Sequence, residues 1–311
     1  MADTPSPQGG LAGFVTRLFV KPFKRKSPPA KKVAIVIPMS SRQDLNEEEE
    51  ISMRQLVHYL GAYDKFLLAP EGMKFNFEGF ETRWYPHRFF GSGAAHGKLL
   101  GTRAFYRGFL DYDYVFFYHL DSLAFSDQLL EWCDKGIDYI GPPWIKCDDS
   151  PWVDRPRVGN GGFTLLRVES ALKAITNRYL VQPPYFWYDL FNAHAPKWLV
   201  GMVARLERMF PKVRLFKRLM EEKHEMDNPT QFNRNNDIFW SDMAVRYVPE
   251  FRVATLEEGL SFAFEVSPKT CLEMNGGRMP FGCHAWGRYD KSFWEPYLVS
   301  ASSTASDRKA S

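Results

Sequence analysis

From residue 31 onward, short apolar runs alternate with longer stretches whose apolar positions recur at helical spacing. Residues 33–37 form a run rich in β-branched side chains, stopped by Pro38, the pattern of a buried parallel strand. Residues 65–69, stopped by Pro70, and 81–85, stopped by Pro86, predict a second and a third strand. Between the first two, Glu47 to Leu60 has helical spacing, with acids in the first turn where the helix dipole favours them. The loop Phe89-Phe-Gly-Ser-Gly93 leads into a helical run over 98–110. The stretch Tyr114-Val-Phe-Phe-Tyr-His-Leu-Asp121 is apolar enough for a strand buried on both faces, and it stops on a carboxylate. A helix over 127–135 with Ser126 as cap and a short strand over 137–141 follow, then Pro142-Pro-Trp144, a polar loop and Val158-Gly-Asn-Gly-Gly162, which opens a strand over 163–168. Strands and helices alternating at these lengths predict an α/β fold, a mostly parallel sheet flanked by helices.

The remainder is less regular. Residues 178–234, rich in aromatic and basic side chains, read as a helical insertion with runs near 197–210 and 213–224. Residues 235–247 have helical spacing, with Ile238, Phe239, Met243 and Val245 apolar and Asp237 in the first turn. Short elements at 252–255 and 261–265 precede Met279-Pro-Phe-Gly-Cys-His-Ala-Trp286. At the start, residues 1–10 are polar and rich in Pro and Gly. Residues 11–20 are apolar, and Lys21, Lys24, Arg25 and Lys26 follow. Residues 11–26 thus read as a short interfacial helix with a polybasic flank, suited to peripheral contact with an anionic membrane. The expected organisation is a disordered basic leader (1–30), a single domain (31–299) and a polar tail (300–311).

Charge changes this picture in one respect. The 311-residue chain carries a net charge of +3, but residues 1–32 hold seven Lys/Arg and one Asp, so the remainder is net negative at −3. A folded body without basic excess argues against nucleic-acid binding. The four cysteines, Cys133, Cys147, Cys271 and Cys283, form no C-x-x-C pair, which argues against a zinc site of the usual spacing and fits a reducing, cytoplasmic setting. No apolar window approaches the ~20 residues needed to span a bilayer. Aromatic residues make up 16% of the chain, which suits either a large core or a cleft for sugar-like ligands.

Candidate chemistry centres on Asp121. A charged group ending an apolar strand is costly to bury unpaired, and open α/β sheets hold ligands beyond the carboxyl ends of their strands. Asp121 is therefore expected at a metal or polar-ligand site, or else in a turn. The glycines around Asn160 permit close backbone approach to a ligand, although the loop matches neither standard nucleotide fingerprint.

Taken in order, a strand ending in Leu120-Asp121, the segment Gly159-Asn-Gly-Gly-Phe163, the segment Asn236-Asp-Ile-Phe-Trp-Ser241 and Pro280-Phe-Gly-Cys-His-Ala-Trp286 resemble a glycosyltransferase-like family of unknown function, itself similar to GT-A nucleotide-sugar transferases. The resemblance covers about residues 32–297. It implies a GT-A-like (Rossmann-like) fold and transfer of a sugar from a nucleotide-sugar donor to a glycan or other hydroxyl acceptor. By the same resemblance Asp121 takes the last position of an Asp-x-Asp motif and holds a divalent metal, Mn²⁺ or Mg²⁺, with His284 completing the shell. Asp237 is the implied base. Pro38, Trp144, Asn160, Gly161, Gly162 and Trp240 are the implied substrate-binding residues. His119 stands where the first Asp of the motif belongs. That departure weighs against metal dependence and favours the alternative, a carbohydrate- or nucleotide-binding protein that has lost catalysis. A metal-dependent hydrolase on the same sheet is a third reading, disfavoured by the single strand-end carboxylate. The helix dipole at Asp237 is expected to keep its carboxylate ionised without raising its pKa.

Overall fold

The computed structural model describes residues 31–39, 42, 44–180, 195–209 and 236–300. The expected leader helix at 11–26 and the second run of the insertion, 213–224, lie outside these residues. So does most of the polar tail.

Six strands form the main sheet, in the order β3-β2-β1-β4-β9-β6. β1 (Lys31–Pro38) lies at its centre, with β2 (Asp64–Pro70) and β3 (Phe80–Tyr85) on one side and β4 (Tyr112–Tyr118) on the other, all parallel. The β-branched side chains of β1 are sealed on both faces; Ile35, Val36 and Ile37 have no exposed surface. The mostly parallel α/β sheet agrees with the alternation in the sequence. One half departs from it: β9 (Phe163–Arg167) runs antiparallel to β4, and β6 (Tyr139–Ile140) antiparallel to β9. Two small sheets flank the main one. β10 (Ala263–Phe264), β11 (Gly282–Cys283) and β5 (Leu123–Ala124) form the first; β7 (Pro143–Trp144) and β8 (Arg157–Val158) form the second.

The helix Glu47–Leu60 matches its expected bounds because its signals are strong and local. Asn46 and Glu49 form a reciprocal capping box, and four glutamates fill the first turn. Its buried face carries Met53, Leu56 and Leu60, but also Ser52 and Gln55. Ser52 Oγ donates to the Ser122 carbonyl (2.7 Å) and Gln55 Nε2 to that of Ala124 (3.0 Å), so this helix holds the turn that follows Asp121.

Three expectations need correction. The run expected over 98–110 is two helices, Gly93–Leu100 and Arg103–Arg107, because Thr102 caps the second by accepting from the Phe105 amide. The helix after Asp121 is shorter, Leu129–Asp134, and Ser126 does not cap it. The stretch 236–247 is not one regular helix: Asn236–Ile238 is followed by a π turn, Phe239–Met243, and then by Ala244–Tyr247. The extra residue in the π turn shifts the register, so Trp240 and Ala244 turn inward and Val245 is exposed.

The aromatic richness is used largely in the core. Phe116, Phe163, Phe262 and Phe281 pack ring against ring, with centroids 4.8 Å apart for Phe116–Phe163 and 5.2 Å for Phe163–Phe281. Phe163 directly follows Gly162 and Phe281 lies three residues before His284, so this cluster supports both segments from below. All four cysteines are free, and three of them are buried.

Candidate functional site

β4 ends at Tyr118, three residues before Asp121, not at the carboxylate itself. The His119 amide donates to the Gly162 carbonyl (2.8 Å) and the Ser122 amide to the His119 carbonyl (3.0 Å), which makes 119–122 a tight turn beside the glycine loop. Because the turn is held on one side by that loop and on the other by Ser52 and Gln55, the His119 and Asp121 side chains are fixed in direction. From the far end of the chain, β11 delivers His284. Its amide donates to the Phe264 carbonyl (2.9 Å), and the Trp286 amide closes the junction on the Asp121 carbonyl (3.1 Å). Ala285 between them has φ of 53°, a left-handed conformation costly for a residue with a Cβ. The surrounding hydrogen bonds enforce it.

The side-chain donor atoms of His119, Asp121 and His284 lie within 4.8 Å of one another. His284 Nε2 is 3.2 Å from Asp121 Oδ1, so these two residues converge although 163 positions separate them in sequence. The other ring nitrogen, Nδ1, lies 3.0 Å from Glu265 Oε1. Glu265 is buried and also accepts from Asn160 Nδ2 (2.7 Å), while Asn160 Oδ1 accepts from the Gly162 amide (2.8 Å). A chain of hydrogen bonds, charge-assisted from Glu265 onward, thus runs from the glycine loop through Asn160 and Glu265 to His284 and Asp121.

Burial alone would push the His284 pKa down, but the two flanking carboxylates raise it to about 10. Burial likewise works against ionised Asp121, and His284 overrides it and holds the carboxyl below its ordinary range. His119 goes the other way: burial and the neighbouring His284 charge lower it to about 4, so its imidazole is neutral at neutral pH. His96 packs edge-on against His119, with centroids 5.8 Å apart, and is lowered to about 3 mainly by burial.

Two imidazoles and one carboxylate are a donor set suited to a first-row transition ion, and less to Mg²⁺, which prefers oxygen. The Glu265 contact to Nδ1 is the outer-sphere bond that fixes the tautomer of a metal-binding histidine and turns Nε2 toward the ion. The residues therefore fit a divalent metal such as Mn²⁺. His119, read in the sequence as a departure that weighs against metal dependence, lies among the three groups that could hold an ion.

Asp237 lies next to this cluster. A Cβ added to Gly161 would collide with its carboxylate, and one added to Gly162 would collide with the His284 ring. Only glycines permit both approaches. The expectation that Asp237 keeps an ordinary pKa is overturned: burial, reinforced by the Glu265 charge, raises it to about 6. Backbone hydrogen bonds at this helix start lower the pKa, but burial and the Glu265 charge outweigh them. Arg157 bridges to Asp242 (3.3 Å) and ties this segment to the loop before Gly159.

The other expected ligand contacts divide. Asn160 is committed to Glu265 and the loop backbone. Trp144 is buried against Gly159 and meets Trp152 edge to face at 5.3 Å, so it supports the loop from behind. Trp240 is buried against Tyr106 and Phe251. Pro38 ends the central strand and is half-buried. Sequence reasoning missed Glu265 and His96. Glu265 carried a usable signal, a carboxylate ending an apolar run (Phe262-Ala-Phe264), the same logic that singled out Asp121. An open cleft of about 290 Å³ is lined by Asp149, Ser267, Thr270 and Tyr289 among others, and by none of the residues above.

The family model described as "Protein of unknown function (DUF5672)" matches residues 79–284. No curated protein matches the chain. Among solved structures, the apo-form glycosyltransferase GlyE of Streptococcus pneumoniae TIGR4 aligns with 87% of this chain and 61% of its own, at 10% identity and a TM-score of 0.41. The chain spans about three fifths of the length of that structure.

Proposed function

We propose that this chain, which belongs to the DUF5672 family, is a GT-A-like glycosyltransferase that moves a sugar from a nucleotide-sugar donor to a hydroxyl acceptor. The observation that carries the reading is the pairing across the glycine loop: a three-residue donor set for a divalent ion on one side and a carboxyl with a pKa of about 6 on the other. His119, Asp121 and His284 would hold the ion, which when bound supplies positive charge to the departing diphosphate. Asp237, ionised at neutral pH yet basic for a carboxylate, takes the proton from the acceptor hydroxyl. Glu265 and Asn160 keep His284 oriented while charge develops.

The alternative of a binding protein without catalysis rested on His119, and the place of His119 inside the donor set removes that reason. The hydrolase reading keeps one supporting observation, since a carboxylate beside a metal set can also activate water. Incubation with UDP-, GDP- and CDP-sugars and Mn²⁺, with and without sugar acceptors, separates these readings. Transfer should exceed hydrolysis once a suitable acceptor is present. Hydrolysis unaffected by any acceptor would favour the hydrolase. Nucleotide-sugar binding without any turnover would favour the binding protein.

A further inference from the structure

The helix Lys197–Met209 belongs to the inserted region and carries none of the residues of the chemistry proposed above. Trp198 is 69% exposed, Met202 44%, Leu206 47% and Met209 70%. These positions are spaced i, i+4, i+8 and i+11, which at 3.6 residues per turn makes one stripe roughly 80° wide. Twelve large hydrophobic side chains are exposed among the described residues, and four of them fall on this single helix, so the stripe is a concentration and not scattered exposure. Leu199, Val200 and Val203, on the other side, are half-buried.

Charge points to what covers the stripe. The exposed, described side chains of the helix include two cations, Lys197 and Arg205, and no acid. In sequence, residues 197–220 hold seven basic residues and one acid, whereas the rest of the chain from residue 33 holds 26 basic and 35 acidic. A cationic, Trp- and Met-bearing stripe on an otherwise acidic body matches a surface that is apolar beneath and anionic on top. Indole, thioether and isobutyl groups can enter the headgroup boundary while Lys and Arg reach lipid phosphates. We propose that the helix Lys197–Met209 docks on anionic lipid, lying in the plane of the membrane with Trp198, Met202, Leu206 and Met209 inserted. Among the described residues no helix is long and apolar enough to cross a membrane, so this contact would be peripheral.

The test is co-sedimentation of the full-length chain with phosphatidylcholine vesicles, with or without phosphatidylserine. The parent should bind the anionic vesicles and lose binding at high salt. Trp198→Ser combined with Leu206→Ser should weaken binding ~10-fold or more, with an unchanged circular dichroism spectrum. Trp198→Phe, which keeps an apolar ring, should retain it. Lys197→Gln and Arg205→Gln should each cost roughly 5-fold. Absence of parent binding to anionic vesicles would overturn the proposal. So would equal binding of the double serine variant, which would assign any membrane affinity to another segment such as residues 11–26. Concentration-dependent dimerisation that the serine variant abolishes would instead make the stripe an interface between copies of this chain.

Discussion

The two walls of the site are built on opposite principles. On the wall formed by Asn160, Glu265, His284 and Asp121, the polar groups are joined in one continuous chain of hydrogen bonds and ion pairs. On the wall formed by the helices Gly93–Leu100 and Arg103–Arg107 and the segment 236–243, several buried polar atoms have no partner among the described residues: His96 Nε2, Tyr106 Oη, Asn236 Nδ2, Trp240 Nε1 and Ser241 Oγ. A satisfied network is rigid and fixes its members in one geometry. An orphaned buried donor instead carries a desolvation cost of ~1–3 kcal/mol that only an added partner relieves. The first wall is organised before any ligand arrives, which suits the metal-holding role proposed for it. The second leaves these groups without a partner among the described residues, open to a ligand or a water.

Asp237 stands between the walls, and removing its charge should have the largest effect. Asp237→Asn should lower turnover ~10²–10⁴-fold with little change in nucleotide affinity. The same substitution should stabilise the fold. Its folded pKa, about 6, is raised above the ordinary 3.8, so its stabilising contribution is complete below 3.8 and is lost as pH rises through 6. At pH 7 the ionised form is a burden of up to about 3 kcal/mol, and the variant's melting temperature should rise. A variant that melts lower while keeping activity would place Asp237 on the rigid wall and end the contrast. In the parent, kcat/KM should fall tenfold per pH unit below about 6.

Next in size is the outer shell of the rigid wall. Glu265→Gln keeps shape but removes the charge facing His284 Nδ1, and should weaken Mn²⁺ affinity by ~10–100-fold in a calorimetric titration. Unchanged affinity would mean that His284 needs no support. The smallest effect should come from the orphaned wall. Tyr106→Phe deletes a buried hydroxyl without a partner, and chemical denaturation should show stability unchanged or raised by ~1 kcal/mol. A loss of more than that would show that the hydroxyl is satisfied, and the walls would no longer differ.

The same division governs what the sequence made legible. The strands β1 to β4 and the helix Glu47–Leu60 could be read because their signals are local: β-branched runs, prolines at strand ends, a capping box. Asp121 could be singled out as a charge ending an apolar run, whereas His284 was reached only through the resemblance. The protonation of Asp237 could not be read, because a helix dipole is a sequence-local argument, whereas burial and the Glu265 charge are tertiary ones. The position of His119 beside Asp121 and His284 could not be read for a related reason. A motif compares residue types at fixed spacing, whereas a donor set is assembled by atoms, and an imidazole can deliver its nitrogen where a carboxylate would place an oxygen. The antiparallel placement of β9 is equally a matter of topology, since an apolar five-residue run looks the same in either direction.

The adjacent glycines 161 and 162 have a further consequence. One approaches Asp237, the proposed base, and the other His284, a proposed metal ligand, so adjacent residues of one loop face both groups. Proton transfer at Asp237 and ion binding at His284 should both be audible at the same place. In an NMR spectrum the Gly161 and Gly162 amide resonances would move with pH near 6 and again on adding a diamagnetic ion such as Mg²⁺ or Zn²⁺, making two neighbouring signals a built-in gauge of both halves of the reaction.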